Sequence, residues 1–130
     1  MFMSYERYLR EPKSLTVEKM RTLQEEILGE IASDSEAQEI YENLVAVATR
    51  YAGIRAEWRL WDGITKIERD DIRTSCHNSL IVKFDMLARH LKTRGKDAAW
   101  RDVLGYKKDD RKTIGDFACY LVFVNSLNAR

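Results

Sequence analysis

The sequence predicts an all-α fold: a bundle of four main helices plus one short helix, with the C-terminal helix central. Three observations carry this. Apolar residues recur every three or four positions through nearly the whole chain. Residues that start and stop helices bracket those stretches. The last apolar stretch has almost no polar face, as expected of a helix buried on all sides.

Residues 1–13 read as an irregular N-terminal arm, and the whole span 1–130 as one domain. Thr16 is placed to cap a first helix carrying Val17, Met20, Leu23, Ile27 and Ile31 on one stripe. Ser33-Asp34-Ser35 interrupts it. Ser35 with Gln38 reads as a capping box opening a second helix, which buries Ala37, Ile40, Leu44, Ala48, Tyr51 and Trp58 and ends near Asp62-Gly63. Arg55 lies on this stripe, where it can stack on Tyr51 or Trp58. A third helix runs from about Thr65 to Arg94, kinked near Asp70-Asp71, and stops at Gly95. Asp97 is placed to cap a short helix from Ala98 to Leu104, closed by Gly105. The charged loop Tyr106 to Asp110 then leads into a last helix, Arg111 to Leu127, where Phe117, Ala118, Tyr120, Leu121, Val122, Phe123 and Val124 crowd every side. Gly29 and Gly53 fall inside helical patterns, each costing about 1 kcal/mol, and so are candidates for close helix approach.

Composition narrows the class. At 130 residues the chain is long enough to bury roughly two thirds of its unfolded surface. No apolar run reaches membrane-spanning length, and MFMSYERYLREPK lacks the apolar region of a signal peptide, so a cytoplasmic location is expected. Cys76 and Cys119 lie within helical stretches, without CxxC spacing, and read as buried reduced thiols. Net charge is +1, but the signs separate: eight acidic residues between Glu18 and Glu42 face two basic ones, and ten basic residues between Lys83 and Lys112 face five acidic ones. Two solvated faces account for this, and nucleic-acid binding is permitted rather than argued for.

The feature that stands out is His77. At ~100° per residue it falls at the centre of the stripe formed by Leu80, Ile81, Phe84, Ala88 and Leu91, and Arg73 and Asp70 continue that line. Three ionisable groups on a core-facing line need mutual satisfaction or a ligand. An Asp-Arg pair orienting a histidine is what a general base requires, which makes His77 and Arg73 catalytic candidates and Asp70 and Asp116 members of a binding cluster. The expected alternative is a satisfied polar layer, completed by Asp116, sealed in the core and fixing helix register.

Metal and nucleophile chemistry are not indicated. His77 and His90 are thirteen residues apart and face opposite ways, and no HExxH, CxxC or DxDxDG spacing occurs, so no metal and no cofactor is expected. Glu39-x-x-Glu42 and Glu68-x-x-Asp71 resemble the acidic signature of all-α nucleoside triphosphate pyrophosphohydrolases. Both pairs, however, project away from the core stripes instead of converging on one cleft. Cys76 beside His77 points about 100° away from it and forms no catalytic pair.

Arg73 and His77 on one helix resemble the motif of HEPN-type helical ribonucleases, which would make them the catalytic pair. That motif encloses four to six residues, whereas three separate Arg73 from His77 here. From Arg73 to Asn125, RTSCHNSLIVKFDMLARHLKTRGKDAAWRDVLG followed by DRKTIGDFACYLVFV resembles a family of small bacterial proteins of unknown function. The resemblance implies an all-helical fold with no established activity and directs attention to His77, Arg89, Trp100, Arg101, Arg111 and Asp116. Read for packing alone, Trp100 is a hydrophobic plug, Arg89, Arg101 and Arg111 are helix-end or surface charges, and Asp116 is a first-turn dipole partner.

Opposite the His77 stripe, Ser75, Ser79, Val82 and Met86 form a second, smaller one. It is expected to meet the last helix or another subunit, with a homodimer through Ser79, Val82 and Met86 as the specific form. The expected role is therefore a non-catalytic cytoplasmic helical protein acting through protein–protein interaction or self-association. The alternatives are a HEPN-like ribonuclease or a small-ligand-binding regulator using Asp70, Arg73 and His77.

Overall fold

The computed structural model describes residues 15–105 and 111–128, and among them every regular element is a helix. In chain order these are α1 (Val17–Ile31), α2 (Ser35–Trp58), α3 (Gly63–Glu68), α4 (Asp70–Thr93), α5 (Ala99–Val103) and α6 (Arg111–Asn128). The loop Tyr106 to Asp110 and the arm 1–13 lie outside the described residues.

Local chemistry sets the boundaries. Thr16 caps α1 as expected, its Oγ1 accepting from Lys19 N at 3.1 Å. At the next start, Asp34 and not Ser35 is the cap, its Oδ1 accepting from Ala37 N at 3.0 Å. A carboxylate one residue upstream is the stronger acceptor for the orphan N–H groups, and Ser35 becomes the first helical residue. Gln38 turns backward instead, donating to Ile31 O and Ala32 O and satisfying the free carbonyls at the end of α1.

The third predicted helix is two helices. Asp62 caps the short α3 through Thr65 N at 2.8 Å, and Arg69, with φ −110° and ψ 11°, breaks the path before α4 begins at Asp70. α4 ends as expected at Gly95, whose φ of +81° permits Lys96 N to bond Leu91 O and Gly95 N to bond Lys92 O. Asp97 is not the cap of α5. That position belongs to Ala98, a non-glycine residue at φ 49°, whose N–H donates to Glu30 Oε2 at 3.1 Å. Glu30 Oε1 accepts from Trp100 Nε1 at 2.8 Å, so one carboxylate on α1 holds both the turn and the ring.

α2 and α4 form an antiparallel pair along their whole length. At one end His90 Nε2 lies 2.9 Å from Asp34 Oδ2 and Arg94 pairs with Glu36 at 2.9 Å; at the other, Tyr51 meets His77. Between them Leu44 and Ala48 pack with Leu80, Phe84, Leu87 and Leu91, each buried. α1 adds Met20, Leu23, Ile27 and Ile31, and full burial of such side chains contributes roughly 1.5–3 kcal/mol each. α6 packs against α2, α4 and α1, and its residues Thr113 to Leu121 are buried on every side. Beyond Leu121 it emerges, with Phe123 and Leu127 exposed, so only its first half is wrapped by the bundle.

Gly29 and Gly53 mark no close approach: a Cβ at either would meet nothing within 4 Å. Gly115 does. A Cβ there would stand 2.6 Å from the Tyr51 hydroxyl, so α6 crosses α2 at a point where only glycine fits. Among the described residues no helix is long and apolar enough to cross a membrane.

Candidate functional site

The Asp70-Arg73-His77 line meets α2 where that helix turns aromatic. His77, half-buried, sets its ring 5.7 Å from that of Tyr51 at 56°. One turn toward the N-terminus of α4, the Arg73 guanidinium lies 4.3 Å above the Trp58 ring, and beyond it Arg69 lies 5.2 Å from Trp61. The two indoles are themselves 5.7 Å apart. Running oppositely, the helices thus pair 51 with 77 and 58 with 73, and the connection between them pairs 61 with 69, a ladder of polar side chains against aromatic rings. Each exposed rung contributes about 0.5–1 kcal/mol.

This corrects the expectation of a sealed line. The side chains of Asp70 and Arg73 are 57% and 44% exposed, and their ion pair at 3.2 Å is solvated. The break at Arg69 is the reason: it makes Asp70 and Arg73 the first turn of α4, at the mouth of the α2–α4 pair and not in its depth. Arg73 is occupied by Trp58 on one side and Asp70 on the other, and His77 by Tyr51.

Asp116 joins a different cation. Arg55 Nη2 donates to Asp116 Oδ1 at 2.6 Å, and Arg55 Nη1 lies 3.7 Å from Cys119 Sγ. Arg55, expected to stack on Tyr51 or Trp58, turns instead toward α6, because Gly115 lets that helix come close enough to offer a carboxylate. Burial opposes the Arg55 charge, but Cys119, Tyr51 and Asp116 outweigh it and hold the guanidinium above its ordinary value. Burial pushes the Tyr51 phenol up, against the pull of Arg55. The outcome is a neutralised pair beneath the ladder, which ties α6 to α2.

Arg101, expected at a helix end or on the surface, is buried. Its Nε donates to Asp85 at 2.7 Å and its Nη1 to Gly105 O at 3.0 Å. Trp100 is the expected plug, 6.3 Å from Phe84, with Glu30 as an added partner. Arg89 is exposed. The side chain of Arg111 lies outside the described residues. Cys76 and Cys119 are both buried and are not joined in a disulfide.

The opposite face of α4 is open. A shallow groove of about 920 Å³ runs along it, lined at one end by Ile67, Glu68 and Asp71, in the middle by Ser75 and Ser79, and at the other end by Val82 and Lys83. Ile67 is 80% and Val82 54% exposed, and Met86 extends the strip. Leu60, Ile64 and Ile72 add further exposed apolar groups on α3 and its flanks. Of the sites named from sequence, Asp70, Ser79 and Val82 thus share one groove with Met86 beside it, Asp70 standing at its edge while still paired with Arg73, and Asp116 separates from the Asp70-Arg73-His77 line. Sequence reasoning missed Trp61, Arg69, Gly115 and the apolar side chains of α3. The near-constant sum of facing positions along two antiparallel arms, carried on into their connection, was the signal that could have found the first two.

Comparison with known proteins yields no match to a family model, a curated protein or a solved structure.

Proposed function

We propose that this chain is a non-catalytic cytoplasmic helical protein that acts through protein–protein contact, with the outer face of α3 and α4 as the contact surface. The observation that carries this is the open apolar strip of Ile67, Val82 and Met86 around a groove floored by small polar side chains. A large open strip rimmed by charges is the pattern of an interaction site. Arg73 and His77 on the other face support the same reading, since they are engaged with Trp58 and Tyr51. The resemblance of Arg73 to Asn125 to a small bacterial family of unknown function is compatible with it and adds no activity.

Hydroxyl-radical oxidation of Met86 in native cell extract tests the reading. If the face is covered, Met86 is protected relative to a Val82→Glu variant of unchanged helicity, because a charge in the strip removes the partner. Equal oxidation of Met86 in both proteins would overturn it.

A further inference from the structure

The groove carries a pattern of charge that defines its occupant. Along the outer face of α4, Asp71, Ser75, Ser79, Val82, Met86 and Arg89 follow one another at intervals of three or four and share a side. Acidic groups stand at the N-terminal end, Asp70 already paired with Arg73 and Glu68 and Asp71 left over; basic ones, Lys83 and Arg89, stand at the C-terminal end. Among the described residues none of Glu68, Asp71, Lys83 and Arg89 has an ion-pair partner within the chain, whereas His90, Arg94, Arg55 and Arg101 all do. The middle is Ser75 and Ser79, small enough for two backbones to approach.

We infer that the partner on this face is a second copy of the same chain, laid antiparallel about a two-fold axis passing between Ser75 and Ser79; this rests on the contact reading proposed above. In that register Asp71 faces Lys83 of the second copy, Ile72 faces its Val82, and Ser75 faces its Ser79. Two-fold symmetry makes every such pair twice. A parallel copy would set Asp71 on Asp71 and Lys83 on Lys83, with the helix dipoles also aligned against each other. The pattern is self-complementary in one direction only.

The size of the surface sets the strength. The 24 residues of α4 extend about 36 Å, and a single helix face of that length, widened by α3 at Ile67, falls near the lower limit of specific interfaces. The dimer is therefore a reversible one, with dissociation in the micromolar range at low salt.

The test is sedimentation of the full chain as a function of concentration, with Asp71→Lys, Lys83→Asp and the double swap. Each single variant turns two attractions into two repulsions and weakens association about tenfold. The double swap restores it. Mixing the two single variants also restores it, because the chain carrying lysine at both positions then meets the chain carrying aspartate at both; recovery in the mixture shows that both variants are folded. Failure of the mixture to associate while the unsubstituted chain dimerises would overturn the antiparallel register. A strict monomer at several hundred micromolar would overturn the second copy as partner. Protection of Met86 in extract would then still uphold the contact reading, and equal oxidation would remove both.

Discussion

Replacing Gly115 with alanine sets two effects of opposite sign against each other at the α2–α6 crossing. Within a helix, alanine is favoured over glycine by about 1 kcal/mol. Against that, the new methyl would lie 2.6 Å from the Tyr51 hydroxyl and 3.3 Å from both Tyr51 Cζ and Arg55 Nη1. Tyr51 is buried and cannot swing away, so α6 or the ring must shift, at a cost of roughly 1–3 kcal/mol. Gly115→Ala is therefore expected to destabilise by about 1 kcal/mol net. Tyr51→Phe removes the atom responsible for the closest approach and leaves the milder one at Cζ. In that background the same substitution should be neutral or stabilising by up to about 1 kcal/mol, giving a favourable coupling of about 1–2 kcal/mol. Urea denaturation of the four proteins, with constant slope as the check on two-state unfolding, measures this cycle. A Gly115→Ala variant more stable than the parent, or an identical cost in both backgrounds, would refute the close crossing.

Three further outcomes rest on the described ion pairs. Asp116→Ala strands the Arg55 guanidinium and should cost about 2 kcal/mol, less than a fully sealed pair because Arg55 retains some solvent; Arg55→Met together with Asp116→Ala should recover part of that in the same denaturation assay. Arg101→Ala removes a buried stem bridging Asp85 and Gly105, with an expected loss of about 2–3 kcal/mol read as a lowered urea midpoint. Asp34 supplies a pH dependence: its bond from Ala37 N–H, opposed by desolvation and aided by His90 and Arg94, lowers its pKa below the ordinary carboxylate range. A lowered folded-state pKa means stability that is present above the unfolded value and lost as pH falls through the folded one. Denaturation midpoints should thus fall as the pH drops below the ordinary aspartate range of about 4, and Asp34→Asn, which still caps, should flatten that slope.

What the sequence made legible was governed by local chemistry. Thr16 and Gly95 were readable because cap and stop act within one helical turn. Most of the core stripes of α1, α2 and α4 followed from period alone, although Ile40, Trp58 and Ile81 are only half-buried and Leu87, off the expected stripe, is fully buried. Asp34 outcompeting Ser35 depends on relative acceptor strength between neighbours, which a pattern of residue types does not resolve. The split at Arg69 was placed one residue away, as a kink, because Asp70 and Asp71 resemble both an interruption and a helix start. The site residues failed for a longer-range reason. Arg55 choosing Asp116 over an aromatic ring depends on how near α6 comes, and that depends on Gly115, a residue whose role exists only across two helices. His77, expected at the centre of the stripe, is half-buried at its margin, the buried centre running through Cys76, Leu80 and Leu87, and its neighbours Arg73 and Asp70 are solvated because a helix end falls there.

Ala98 and Glu30 carry unequal mutational tolerance. The left-handed backbone at Ala98 is one that glycine and asparagine adopt more readily, and β-branched residues hardly at all. Position 98 can therefore drift toward glycine and lose strain in doing so. Glu30 has no such freedom: it accepts two hydrogens at once, from a backbone amide and an indole, through two oxygens. Glutamine offers one oxygen and a donor, and aspartate reaches less far. The strained residue is the replaceable one, and the surface-reaching carboxylate that holds it is the fixed point of the turn.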